Sequence, residues 1–271
     1  IMAKEAQSKF LANMSHEIRT PINAVIGMNE MILRESDNAD ICSYAHDIKN
    51  SSTALLNIIN DILDSSKIES GMMELVPIEY KMENLLGELY HMTYIRAREK
   101  GLELEFDIEP AIPRKFFGDD KRIMQVLLNL LTNAVKYTNK GKITLSVSCR
   151  NEGENAVLRY AVKDTGIGIK QEDIGKIYDA YQRLDVSRNR NVEGTGLGMK
   201  IAKQVLSLMD SELHIESEYE KGSEFYFDIR QKVVSKEPLG DFHKRYMQAA
   251  STDSRISFTA PDAKVLVVDD V

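Results

Sequence analysis

The 271 residues carry 35 basic and 42 acidic side chains, a formal net charge of −7 with a pI near 5.4, which argues against a broad nucleic-acid-binding surface, since that needs an excess of Lys and Arg. With 43% hydrophobic and 28% charged residues the composition is globular rather than that of a disordered tail, and no apolar run approaches the roughly 20 residues needed to cross a bilayer. Cys42 and Cys149 are too few and too far apart for a disulfide framework or a zinc cluster, no charged-then-apolar leader is present, and a reducing, cytoplasmic location is the expectation.

In chain order, Ile1 in place of an initiator Met reads as a cut end. Residues 1–71 read as two long helices. The first carries Leu11, Met14, Ile18, Ile22, Val25, Met28 and Ile32, and the second Ile41, Ile48, Leu55, Ile58, Ile59, Ile62 and Leu63. Spacings of three and four put each set on one stripe. Ser36–Asp40 is a turn with capping residues, and Gly71 suits a helix C-terminus. A lone antiparallel hairpin leaves an apolar face uncovered, so a second copy is expected to close a four-helix bundle, making a homodimer through residues 1–71.

Residues 72–77 form a connector ending at Pro77, and a mixed α/β unit is expected over 78–232. Residues 84–100, 119–137 and 198–209 have helical character. Leu102–Ile108, Lys142–Cys149 and Ala156–Val162 alternate as half-buried strands, the last two flanking a hairpin turn at residues 151–155. Leu213–Ser217 and Ser223–Ile229 pair around Lys221-Gly222. Hairpin-connected strands imply a mixed or antiparallel sheet with helices on one face, so the fold class is α+β. Residues 233–263 read as a linker, and residues 264–271 as a buried strand ending in Asp269-Asp270, with Val271 a second cut end.

Three features carry chemistry. His16, in His16-Glu17-Ile18-Arg19-Thr20-Pro21, falls opposite the centre of the first apolar stripe at about 100° per residue. A neutral imidazole there is a nucleophile and Glu17 could orient it; the alternative is a solvated surface histidine. Pro21 one turn on is expected to bend the helix. On the helix ending at Tyr137, Asn129, Asn133 and Lys136 fall at i, i+4 and i+7, a set of amide oxygens and an ammonium suited to Mg²⁺ and phosphate, or else an ordinary polar face. Asp164-Thr165-Gly166-Ile167-Gly168 follows a strand, where a carboxylate can accept from an adenine amino group. Gly194-Thr195-Gly196-Leu197-Gly198 opens a helix, where backbone N–H groups meet phosphates. Neither loop fits the dinucleotide fingerprint or the P-loop. Arg188 and Arg190, in the polar stretch between the loops, read as cations of a lid or as part of a plain surface loop.

Taken together, these motifs resemble the transmitter core of a sensor histidine kinase. His16–Pro21 is similar to that family's phosphoacceptor box and Asn129–Tyr137 to its asparagine box. Asp164–Gly168 and Gly194–Gly198 are similar to its two glycine boxes, and Tyr178–Tyr181 to its aromatic box with Tyr where Phe is usual. Residues 265–270 resemble the first strand and acidic pair of a receiver domain, pointing to a hybrid kinase. The resemblance implies a dimerisation and phosphotransfer hairpin followed by an α/β sandwich that binds ATP and Mg²⁺. It implies that His16 is phosphorylated, Glu17 assists as base, and Thr20 positions water for phosphate removal. Asn133 would bind Mg²⁺ with Asn129 supporting, Lys136 would meet phosphate, Tyr137 would pack near adenine, and Asp164 would accept from its amino group. Gly166, Gly168, Gly194, Thr195, Gly196, Leu197 and Gly198 would shape the pocket. The implied partner is a receiver domain, in cis beyond Val271 or in trans, with no nucleic acid and no membrane contact. The rivals are a gyrase-type ATPase, which carries a general-base Glu where Asn129 stands, and a nucleotide-binding dimeric scaffold without catalysis.

Overall fold

The computed structural model describes residues 2–178 and 196–244. Two long helices come first, α1 (Met2–Glu35) and α2 (Ala39–Glu69). The turn between them is set by Asn38, whose side-chain oxygen accepts from the N–H groups of Asp40 at 2.9 Å and Ile41 at 3.2 Å, satisfying two of the donors that a helix start leaves without partners. α2 ends as expected at Gly71. Its φ of +71° lets its N–H reach Ile68 O at 3.0 Å and that of Met72 reach Lys67 O at 2.9 Å, a left-handed cap that a side chain would oppose. α1 continues as one helix through Pro21.

Antiparallel contacts give the register of the hairpin. The Asn29 amide donates to Ala45 O in the buried layer, Lys49 pairs with Glu30 at 3.0 Å, and Arg19 reaches Asn60 Oδ1 at 3.1 Å. The expected uncovered apolar face is present, since Val25, Met28, Ile32, Ile41, Ile48, Leu55, Ile58 and Ile62 are all exposed. No helix among the described residues is long and apolar enough to cross a membrane.

The α/β unit follows in the order β1 (Ile78–Lys81), α3 (Met82–Glu99), β2 (Glu103–Ile108), β3 (Pro113–Gly118), α4 (Asp120–Tyr137), β4 (Lys142–Glu152), β5 (Asn155–Asp164), a 3₁₀ segment (Gln171–Tyr178), α5 (Gly198–Leu208), β6 (His214–Glu218) and β7 (Gly222–Pro238). The sheet order is β1-β3-β7-β5-β4-β2, with β6 also on β7. Among the described strands only β2–β4 is a parallel pair, so the sheet is mixed, as expected. Alternation supplies the core: Ile143, Leu145 and Val147 on β4 and Ala156, Leu158, Tyr160 and Val162 on β5 are buried, while the residues between them face the opposite side. α4 covers the buried side with Ile123, Val126, Leu127, Leu130, Leu131 and Ala134. The turn joining β4 to β5 is tighter than expected, for pairing continues to Glu152 opposite Asn155.

The expected linker at 233–263 requires correction at its start. β7 runs to Pro238 and pairs with β3, Val233 opposite Phe116 and Ser235 opposite Lys115. Leu239 is fully buried and its N–H donates to Ile112 O at 2.8 Å, and the Phe242 ring stacks on Phe106 with centroids 6.1 Å apart. Apolar anchors thus extend the α/β unit to residue 242. The expected linker from residue 245 and the expected strand at 264–271 lie outside the described residues.

Candidate functional site

His16 lies on α1, with its side chain outside the described residues; Glu17 and Thr20 are exposed. The Arg19–Asn60 contact at 3.1 Å and the antiparallel register carry position 16 to the level of Leu63 and Asp64 on α2. At that level the α/β unit seats on the hairpin. Asp64 accepts from Gln125 Nε2 at 2.7 Å and pairs with Arg122 at 3.5 Å. Glu69 pairs with Lys200 at 2.6 Å, and Ile68 packs against the core of the unit. The connector is tied down as well, Val76 N–H donating to Asp119 Oδ2 at 2.8 Å. Asp119 also caps α4 through Arg122 N–H at 3.0 Å, so one carboxylate joins the connector to the start of the asparagine helix.

Along α4, Asn129, Asn133, Lys136 and Tyr137 are half-buried, on the side away from the sheet. α5 closes over them. The Asn133 amide N–H meets Met199 Sδ at 3.3 Å, and a side chain on Gly198 would overlap the Asn129 amide. The Lys136 ammonium lies 5.0 Å from the centre of the Tyr137 ring, within cation–π range.

Asp164 ends β5 and is 7% exposed. Burial pushes its carboxyl up from the ordinary range, while the N–H groups of Gly166 and Ser223 pull it back; the Gly166 N–H lies 2.8 Å from Oδ1. The glycines of this loop are packed closely against backbone. A Cβ on Gly166 would stand 2.5 Å from Tyr137 O and 2.8 Å from Asp164 Oδ1. Gly168, at φ +63°, would strike Glu218 O. They let the loop lie against the end of α4 and the β6–β7 turn, which holds Asp164 beside Tyr137. Gly196 has φ +71° and Leu197 is 2% exposed, anchoring the start of α5.

The fold therefore brings Asn129, Asn133, Lys136, Tyr137, Asp164, Gly166 and Gly198 into one cluster where α4, α5 and the β5 loop meet. The expected lid cations Arg188 and Arg190, with Gly194, Thr195 and Tyr181, lie outside the described residues, as does the Tyr178 side chain. A depression of about 340 Å³ lined by Glu105, Asp107, Lys142, Thr144, Lys163 and Thr165 opens on the other side of the sheet; Lys142 pairs there with Glu105 at 2.8 Å, and Thr165 is the one motif residue in its lining. Two contributors escape sequence reasoning. Thr165 Oγ1 accepts from Lys142 N–H at 3.0 Å, and Lys100 reaches the carbonyls that end α4; both partners are remote in sequence.

Residues 118–233 match the family described as Histidine kinase-, DNA gyrase B-, and HSP90-like ATPase, and residues 6–71 match the His Kinase A (phospho-acceptor) domain. The chain belongs to the hybrid sensor histidine kinases, as their transmitter core. It is 36% identical over 228 residues to hybrid signal transduction histidine kinase B of Dictyostelium discoideum, covering 84% of this chain and 12% of that protein. It is 37% identical to sensor histidine kinase GacS of Pseudomonas protegens, covering 84% of this chain and 25% of that one. Among solved structures, full-length ShkA in complex with AMPPNP superposes with a TM-score of 0.68 at 30% identity, over 84% of this chain and 46% of that one. Acinetobacter baumannii AdeS, at 20% identity with a TM-score of 0.52 over 81% of this chain and 98% of that one, shares the fold. The kinase core thus spans a quarter or less of these two curated relatives.

Proposed function

We propose that this kinase core binds ATP with Mg²⁺, phosphorylates His16 on its own hairpin, and then donates the phosphoryl group to an aspartate of a receiver domain. The observation that carries this is the convergence of the Asn129/Asn133/Lys136 row, the Asp164 loop and the α5 N-terminus in a unit seated on α2 at the level of position 16. The AMPPNP bound to ShkA supports an adenine nucleotide in this cluster.

Asp164 accepts the adenine amino group, a role suited to a carboxylate already fixed by the Gly166 N–H. Tyr137 packs beside the base. Lys136 and the N–H groups opening α5 take the phosphates, where the positive end of the helix dipole favours them. The donor set fits a divalent cation: Asn133, whose amide N–H meets Met199 at the start of α5, offers a hard amide oxygen, with Asn129 in support, and Mg²⁺ usually completes its shell with phosphate oxygens and water. When bound, that ion neutralises charge developing between the β- and γ-phosphates.

An imidazole nitrogen of His16 then attacks the γ-phosphorus. The N–P bond forms as the bond to the β-phosphate oxygen breaks, ADP leaves, and the ring gives its proton to Glu17. Alignment and charge neutralisation supply most of the acceleration in such transfers. Thr20, one turn on, positions water for the hydrolytic removal of phosphate from the receiver, which releases inorganic phosphate. The exposed stripe of the hairpin pairs with a second copy, making the bundle of four helices. Asn129 cannot act as a general base, which disfavours steady hydrolysis of the gyrase type.

Incubation with ATP and Mg²⁺ tests the reading. An acid-labile, alkali-stable phosphoprotein that disappears in His16→Gln is expected. Steady phosphate release without labelling would indicate an ATPase, and neither product would indicate a scaffold; either would overturn the proposal.

A further inference from the structure

The end of the asparagine helix can be accounted for carbonyl by carbonyl. A helix leaves its last carbonyls without intrahelical donors. In α4, Ala134 O accepts from Thr138 N–H at 3.1 Å. Tyr137 O accepts from Ile167 N–H, in the Asp164 loop, at 3.2 Å. All three of the others from 134 to 138 take the same donor: the Lys100 ammonium lies 2.8 Å from Val135 O, 2.9 Å from Lys136 O and 3.4 Å from Thr138 O.

Lys100 comes from another element. It is the C-cap of α3, followed by Gly101 at φ +68°, and this turn directs the chain into β2, whose Glu103 N–H donates to Gly141 O at 3.0 Å. The negative ends of the α3 and α4 dipoles meet here, and the ammonium stands between them. Across the same short loop, Thr165 is knitted to Lys142 through N–H to O at 3.2 Å and Oγ1 from N–H at 3.0 Å. The segment that carries Lys136 and Tyr137 and supports Gly166 is therefore gripped by Lys100 on one side and by the Asp164 loop on the other.

We propose that Lys100 is a positioning residue for the nucleotide: by holding the last turn of α4 it places Lys136 and Tyr137, and through the Tyr137 O to Ile167 N–H bond it places Asp164. It touches no substrate itself. The inference rests on the nucleotide site described above and adds a residue outside every motif. Without the ammonium, three carbonyls must turn to water, the last turn frays, and the Ile167 N–H loses its fixed acceptor.

The test compares Lys100→Met, which keeps the stem and removes the donors, with Lys100→Arg, which restores them, in the whole chain. A fluorescent ATP analogue reads affinity, and amide hydrogen exchange of Ile167 reads the loop. Because the side chain is exposed, both variants should fold, with unfolding midpoints near that of the parent. Lys100→Met should bind the analogue about three- to tenfold more weakly, the scale of losing a charge at a helix C-terminus, and its Ile167 amide should exchange faster. Lys100→Arg should recover both. Parent-like affinity and parent-like Ile167 exchange in Lys100→Met would overturn the proposal, as would a lowered unfolding midpoint with unchanged affinity, or failure of Arg to rescue. Absence of analogue binding by the parent protein would sink the nucleotide-site reading instead, whereas unchanged Ile167 exchange in Lys100→Met would sink the positioning role alone.

Discussion

The Lys200 ammonium sits 2.6 Å from a carboxylate oxygen of Glu69, joining the helix that opens at the second glycine loop to the last turn of the hairpin. With Asp64, Arg122 and Gln125 it forms a polar seam beside the half-buried Ile68 contact. An ion pair with one partner half in solvent is worth about 0.2–1 kcal/mol, so the seam steers the seating of the unit rather than the stability of the fold. Glu69→Lys should leave the unfolding midpoint nearly unchanged while widening the distance between spectroscopic labels on α2 and α5. Adding Lys200→Glu should restore the shorter distance, and the difference should fade at high salt.

Asp164 should report on itself through pH. Its carboxyl is raised by burial, so ionised Asp164 costs stability above the ordinary carboxylate range, and that cost disappears as pH falls through the raised value. Nucleotide binding runs the other way, because only the ionised form accepts freely from an adenine amino group. Affinity for ADP should therefore fall on acidification at a higher pH than an exposed Asp would give. Asp164→Asn should weaken binding about tenfold, on the scale of one hydrogen bond to a charged group, and remove that pH-dependent component in a titration by calorimetry, with the oligomeric state unchanged.

The glycines should separate by what they touch. Gly166 faces the backbone oxygen of Tyr137, which would lie 2.5 Å from a Cβ at this position, and backbone cannot step aside. Gly198 faces the Asn129 side chain, which can rotate. Gly166→Ala should destabilise the α/β unit by about 1–3 kcal/mol, the range for overpacking, seen as a lower denaturation midpoint. Gly198→Ala should cost less stability and act chiefly on nucleotide affinity, because the amide it displaces belongs to the asparagine row.

Much of this was legible along the chain where neighbours in sequence decide the outcome. The apolar periods of α2 and α4, the alternation of β4 and β5, and the caps at Asn38 and Gly71 all depend on residues within a few positions of one another. β1 and β3 were not. Four residues are too short to show alternation, and Pro-Arg-Lys-Phe-Phe-Gly has none; β3 becomes a strand because β7 offers an edge, and β1 because β3 in turn offers one. For the same reason the tail of β7 passes for a linker until Phe116 and Phe117 are set beside it. Within the site, residue types marked the Asn129–Lys136 row and the glycine loops, whereas Lys100 and Glu69 are ordinary surface residues whose meaning lies in partners 35 and 131 positions away.

The hairpin carries its own prediction about assembly. Ile41, Ile48, Leu55 and Ile62 recur every seven residues on α2 and are 44%, 46%, 46% and 37% exposed. Ile18, Val25 and Ile32 repeat at the same interval on α1, at 37%, 45% and 42%. A sustained seven-residue repeat on neighbouring helices is the pattern of a left-handed bundle seam, and here it faces outward from a single copy. Fully burying an aliphatic side chain of this size is worth about 1.5–3 kcal/mol, so half-exposed residues along two helices supply several kcal/mol once a second copy covers them. A charge in the middle of the seam has no partner and must be desolvated to stay there. Leu55→Lys should shift the protein from dimer to monomer in sedimentation equilibrium at micromolar concentration, whereas Glu30→Lys, on the solvent side of the same hairpin, should remain dimeric. A monomeric parent chain, or a Leu55→Lys variant that stays paired, would show that the stripe is covered by something other than its own copy.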